Sequence, residues 1–149
     1  MQKETLEPLV VADLVPHAAP MVLIDEALEV TDSSALCSLT VGSGLVPRIG
    51  NSMVPTWVAI EYMAQAIAVC AGAKQTPEQS KQIGFLMGIR NGEFGKRRLL
   101  LGNVVHVAVQ LVYDDGAMAQ FQGRVFDPET SYQYAAALLS VFRPNLSER

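Results

Sequence analysis

Apolar residues fall into two different rhythms along this chain. From Val54 to Gly72, "VPTWVAIEYMAQAIAVCAG", they run almost unbroken, with Glu61 as the one formal charge. A run of that length opened by Pro55 predicts a long helix that is apolar on nearly every face. Such a helix must be enclosed on most sides. Elsewhere the rhythm is closer to two. In "NVVHVAVQLVY" Val105, Val107, Val109 and Leu111 share one face, opposite His106 and Gln110. "AMAQFQGRVF" alternates in the same way, with Gln120, Gln122 and Arg124 together, and Asp115-Gly116 between the two runs predicts a tight turn.

The remaining runs complete the pattern. "MVLIDEALEV" (21–30) and "SALCSLTV" (34–41) flank the polar break Thr31-Asp32-Ser33 and predict a hairpin. "GLVPRIGNSM" reads as a loop leading into the helix, and "GAKQTPEQSK" as a polar connector leading out of it. "QIGFLMGIRNGEF" predicts an apolar strand interrupted by Gly84 and Gly88, and "SYQYAAALLSVF" a final strand after the turn "DPET". The predicted order is hairpin, long helix, then three or four antiparallel strands. The simplest architecture is α+β, with a curved antiparallel sheet wrapped around a central helix. With no repeat, linker or low-complexity tract, residues 1–149 read as a single domain.

Composition narrows the options. Apolar residues make up 50% of the chain and charged residues 17%, which excludes disorder. A formal net charge of −4 argues against nucleic acid as a partner. Cys37 and Cys70 form no CxxC or metal-ligand pattern, which suggests reduced thiols in a cytoplasmic protein. Without a ligand cluster or a phosphate-binding glycine loop, neither a metal nor a cofactor is expected. "MQKETLEPLVV" lacks the basic start and apolar core of a signal peptide. Glu61, Gln65 and the many alanines weigh against reading the long run as a membrane span.

Glu61 then becomes the main candidate. A helix puts Glu61 on its second turn and Gln65 one turn further along the same face. An unpaired carboxylate among apolar residues is costly, and burial raises its pKa. It is expected to be wetted by a pocket or used in chemistry. The competing reading is a structural carboxylate satisfied by Gln65 or by a backbone donor.

Three segments carry a resemblance to a known family. They are "LVPHAAPMVLIDEALEV", "MVPTWVAIEYMAQAIAV" and "FLMGIRNGEFGKRRLLLGNVVHVAV". Together they resemble the hotdog-fold β-hydroxyacyl-[acyl carrier protein] dehydratases, and the helix is most similar to the dehydratase-like proteins of bacterial aryl-polyene synthesis. The resemblance implies removal of water from a β-hydroxyacyl thioester carried by an acyl carrier protein or coenzyme A, at the interface of a homodimer or of a heterodimer with a related dehydratase. It implies that Glu61 protonates the departing hydroxyl and that Gln65 orients Glu61 or the substrate. The amides of Thr56 and Trp57 would face the thioester carbonyl. The family's Gly-His-Phe-Pro-Gly loop reads here as "GLVPRIGNSM", with no histidine, and the family glycine after the helix proline is Thr56.

The loss of the histidine while Glu61 is kept suggests a composite site shared with a histidine-bearing partner. His17 matches an opening-motif histidine that the family does not use as its base; its simplest role is to fix the segment between Pro16 and Pro20. His106 is expected on the outer face of the sheet. Two other readings use the same scaffold: an acyl thioesterase with Glu61 as its carboxylate, and a non-catalytic subunit that stabilises a dehydratase. Lys96-Arg97-Arg98 is expected either to dock an acidic carrier or to be an ordinary solvated turn. Trp57, Met63, Ile67 and Val69 read as core or interface residues, and Tyr62 as a candidate tunnel lining.

Overall fold

A computed structural model describes residues 22–44, 46–72 and 85–142 of the chain. The elements are β1 (Glu26–Val30), β2 (Ser34–Thr40), β3 (Met53–Val54), α1 (Val58–Gly72), β4 (Phe85–Phe94), β5 (Leu99–Leu100), β6 (Val104–Asp114), β7 (Met118–Phe126) and β8 (Gln133–Phe142). Six strands form one antiparallel sheet in the order β1-β2-β6-β7-β8-β4, and β3 pairs with β5 in a separate two-stranded sheet. The helix packs mainly against β1, β2, β6, β7 and β8. This is the wrapped-helix α+β arrangement that the hydrophobic pattern predicts.

The alternation does what its period requires. Val105, Val107 and Val109 of β6, Ala119, Phe121 and Val125 of β7, and Ala135, Ala137 and Leu139 of β8 are buried toward the helix. They meet Val58, Tyr62, Met63, Ala66, Ile67 and Val69. The helix is least covered along Ile60, Ala64, Ala68 and Ala71, a line of mostly small residues. The turns are tied by their own side chains. Thr31 Oγ1 lies 2.7 Å from Ser34 Oγ in the first hairpin. Asp115 Oδ1 accepts from the Ala117 and Met118 amides at 3.0 and 2.8 Å in the second. Gly116, with φ +93°, supplies the left-handed residue that this turn needs.

Two details differ from the sequence reading. The helix begins at Val58, because Val54 is drawn into β3 and pairs with Leu99. Between them the chain winds tightly: the Val58, Ala59 and Ile60 amides donate to Pro55, Thr56 and Trp57 at 3.0, 2.9 and 3.0 Å. Glu61 therefore sits on the first turn, not the second. The β3–β5 pair is the second difference; two-residue strands are too short to show a period. The apolar strand predicted around Gly88 is β4. Among the described residues it is the outermost strand, paired with β8 and bent by two register shifts, and its described side chains are exposed. The connector at 73–81, Gly84 and His17 lie outside the described residues.

No described helix is long and apolar enough to cross a membrane. The 15 residues of α1 span about 22 Å, against roughly 30 Å of bilayer hydrocarbon.

Gly123 is what lets the helix approach β7. A Cβ there would lie 2.9 Å from Met63 Sδ and 3.3 Å from Leu139 Cδ1, whereas one at Gly88 would meet nothing within 4 Å. Gly123→Val should lose about 1–3 kcal/mol of unfolding free energy in urea titrations. Gly88→Ala should stay within about 0.5 kcal/mol of the parent.

Candidate active site at the helix entrance

The tight turn at 55–57 delivers the chain into α1 and leaves the Thr56 and Trp57 amides ahead of the first intrahelical donors. These amides, with the positive end of the helix dipole, make the entrance a place that favours negative charge. Glu61 on the first turn is stabilised there, by about 0.3–1 kcal/mol for an exposed first-turn acid. It is half-buried, between the fully buried Ala59, Tyr62 and Met63.

Gln65, one turn on, is completely buried and joins two elements. Its Oε1 accepts from the Leu23 amide at 2.8 Å. Its Nε2 donates to Glu61 Oε2 at 3.0 Å. The amide orientation is dictated by chemistry, since an N–H must meet the oxygen and a carboxylate must meet the NH₂. The segment entering β1 is thereby fastened to the helix, and the Glu61 carboxyl is held from behind. The structure thus brings Glu61 and Gln65 together as the helical spacing predicts.

Other expected residues fall as follows. Thr56 is half-buried at the entrance, and Trp57 is 61% exposed, so its side chain is not part of the core. Met63, Ile67 and Val69 are core residues. Tyr62 is fully buried and its hydroxyl has no hydrogen-bond partner. Burial, and then the charge of Asp25, push that phenol up to about 12. The loop matching the family's histidine loop closes on itself through an Ile49–Met53 bridge. His106, the one histidine among the described residues, lies between Val105 and Val107 in β6, on the face of the sheet away from the helix. It packs edge-on against Phe126 with ring centroids 5.8 Å apart. The sheet therefore separates it from Glu61.

Lys96, Arg97 and Arg98 are exposed on the turn between β4 and β5. Sequence reasoning had no means of placing that turn. The pairing of Val54 with Leu99 does so, because Leu99 directly follows Arg98 and Val54 directly precedes Pro55. Directly opposed strand residues lie about 4.5–5.5 Å apart, so the basic turn flanks the helix entrance. The Leu23 amide was also missed: a backbone donor leaves no residue-type signal.

The two thiols offer no nucleophile. Cys37 and Cys70 are both buried and unbridged. Burial, with a smaller contribution from Cys70, pushes Cys37 from its ordinary 9.0 up to about 12.

The comparisons with known proteins bear on the family and the fold. A family model described as ApeP-like, ApeP dehydratase, matches residues 9–149. The 3-hydroxyacyl-[acyl-carrier-protein] dehydratase FabZ of Myxococcus xanthus is 25% identical over 120 residues, covering 76% of each chain. The FabZ of Pelotomaculum thermopropionicum is 26% identical over 121 residues, covering 78% of this chain and 84% of its own. Among solved structures, the dehydratase heterocomplex ApeI:P from Xenorhabdus doucetiae superposes with a TM-score of 0.80, 28% identity and 94% coverage of both chains. A hypothetical thioesterase protein with coenzyme A from Streptococcus pneumoniae shares the fold, with a TM-score of 0.60, 10% identity and coverage of 80% of this chain and 84% of its own. The architecture is the hotdog fold.

Two outcomes follow. Gln65→Leu strands the buried Leu23 amide and should lower unfolding free energy by about 1–3 kcal/mol, read by urea denaturation. Cys37 stabilises the fold by staying protonated. Its raised pKa makes that contribution complete below pH 9.0 and lost as pH rises toward about 12. Alkylation of Cys37 at pH 9 should therefore be slow in the native protein and fast after unfolding in urea.

Proposed function

Because this chain belongs to the ApeP-like dehydratase family, we propose that it removes water from β-hydroxyacyl thioesters borne by an acyl carrier protein, contributing Glu61 to a site completed by a histidine-bearing partner chain. The observation that carries the proposal is the Leu23–Gln65–Glu61 hydrogen-bond chain at the helix entrance. It holds a carboxyl on the first turn of the helix, and this elimination requires a positioned acid. The base takes the α-proton, the electron pair moves to form the α,β double bond, and the β-hydroxyl leaves with a proton from Glu61 as water. Negative charge builds on the thioester oxygen meanwhile, and the Thr56 and Trp57 amides are the donors placed for it. Gln65 holds the carboxyl in one orientation and so keeps its proton aimed at the leaving oxygen.

The partner supplies the base. Among the described residues His106 lies behind the sheet, and "GLVPRIGNSM" has no histidine. The outermost described strand, β4, offers a place for that partner: Leu86, Met87, Ile89 and Phe94 are 43%, 60%, 44% and 49% exposed. The existence of a two-chain dehydratase complex of similar structure supports assembly of this kind. The basic turn at Lys96, Arg97 and Arg98 docks the acidic carrier close enough for its thioester to enter. The reading keeps the protein in the cytoplasm, as its two thiols suggest.

The decisive assay mixes the purified chain with a histidine-bearing dehydratase partner and a β-hydroxyacyl carrier substrate. Enoyl thioester should form in the mixture and not with this chain alone. Glu61→Gln keeps the shape and should reduce turnover by about 10²–10⁴-fold. Undiminished turnover in the Glu61→Gln mixture would remove Glu61 from the chemistry, and free acid with released thiol would assign hydrolysis instead. Arg97→Glu with Arg98→Glu should weaken carrier binding, most strongly at low salt; an affinity unchanged at every salt concentration counts against docking there.

A further inference from the structure

We propose that Tyr132 is a positioning residue for carrier docking, holding the Gly95–Arg98 turn in one conformation before the carrier arrives; the idea rests on the docking role proposed for that turn. Three consecutive cations, all exposed, occupy it, and none makes an ion pair among the described residues. Left alone, such a turn would splay by mutual repulsion and by the rotamer freedom of long side chains. Tyr132 opposes both tendencies from one position. Its hydroxyl accepts from the Arg97 amide at 2.9 Å, which pins the backbone. Its ring lies beneath the Arg97 guanidinium, 4.5 Å from carbon to centroid, which pins the side chain.

The brace is itself anchored. The Asp127 amide donates to the Tyr132 carbonyl at 2.8 Å, and the Tyr132 amide donates to Thr130 Oγ1 at 3.2 Å. The Tyr132 ring stands edge-on to the buried Tyr134, with centroids 5.1 Å apart. Gly95 makes the approach feasible. Its amide donates to the Tyr134 carbonyl at 2.8 Å, and any Cβ would fall on the Tyr132 hydroxyl and 2.8 Å from the Gln133 carbonyl oxygen.

The choice of partner for Arg97 matters. A carboxylate would order the side chain but cancel its charge toward an incoming acidic surface. An aromatic face orders it and leaves the positive charge outward. Ordering beforehand also lowers the entropy lost when the carrier immobilises these side chains. Tyr132 therefore acts on the affinity of the docked state through Arg97, without touching the thioester.

The test is binding of a phosphopantetheine-bearing acyl carrier protein to the full-length chain across a salt series. Tyr132→Phe retains the ring and loses the acceptor for the Arg97 amide; Gly95→Ala displaces the hydroxyl without altering Tyr132 or any cation. Both should weaken binding by about two- to tenfold, with the slope against salt unchanged because every charge is retained. With the partner present, KM for the carrier substrate should rise while kcat holds. Arg97→Glu with Arg98→Glu should weaken binding and flatten the salt slope. If the Tyr132 and Gly95 variants bind like the parent while charge reversal weakens binding, the bracing role is overturned and docking stands. If charge reversal leaves affinity intact, docking at this turn fails, and the brace fails with it.

Discussion

The Gln65 side chain holds the candidate site together. A buried amide must satisfy both of its ends or destabilise the fold by a few kcal/mol. Here one end takes the Leu23 amide and the other gives to Glu61. That single constraint locks the segment entering the sheet onto the helix and orients the one carboxyl of the apolar rod. It also explains why a charge survives there. The carboxyl has a fixed donor on one side and the positive end of a helix on the other, so its desolvation is met by built-in dipoles. Replacing Gln65 with an apolar residue would disturb stability and the candidate chemistry together, whereas Glu61→Gln is aimed at the chemistry alone.

The sequence made much of this legible. The strand-period runs of β6 and β7 and the Asp115-Gly116 turn show because each depends on local residue types. Glu61 and Gln65 show for the same reason: a four-residue spacing on a helix is a local fact. What stayed hidden is non-local. The Leu23 donor is a backbone group, the β3–β5 pair is two residues long, and the later start of the helix follows from that pairing. β4 reads as an apolar strand, but its place as the outermost described strand is decided by the order of strands in the sheet. Likewise the basic cluster is visible as composition, while its place beside the helix entrance comes only from the Val54–Leu99 register.

An acidic chain that keeps three adjacent cations, and a sheet that leaves an apolar outer strand exposed, put two unlike surfaces on one stretch of sequence. β4 runs into the basic turn, and the turn runs into β5. Apolar edges bury well against another chain, whereas solvated cations steer an oppositely charged visitor and release it readily. A long-lived partner on the first surface and a transient carrier on the second is the assignment these chemistries favour. Both surfaces reach the helix entrance through the same short β3–β5 pairing.

That pairing bears on how the loop matching the family's histidine loop is held here. Its counterpart has other anchors: the Ile49–Met53 bridge, Met53 against Leu100, and Val54 against Leu99. The loop thus delivers the chain into the tight turn at Pro55 and sets where the helix begins, whatever side chain it carries. On the proposed division of labour, this chain supplies the acid and the amides while the partner supplies the base. The geometry at Glu61 depends on the loop's backbone and on Gln65. A histidine could therefore be lost from the loop without loosening the carboxyl, provided a neighbouring chain brings its own to the same entrance.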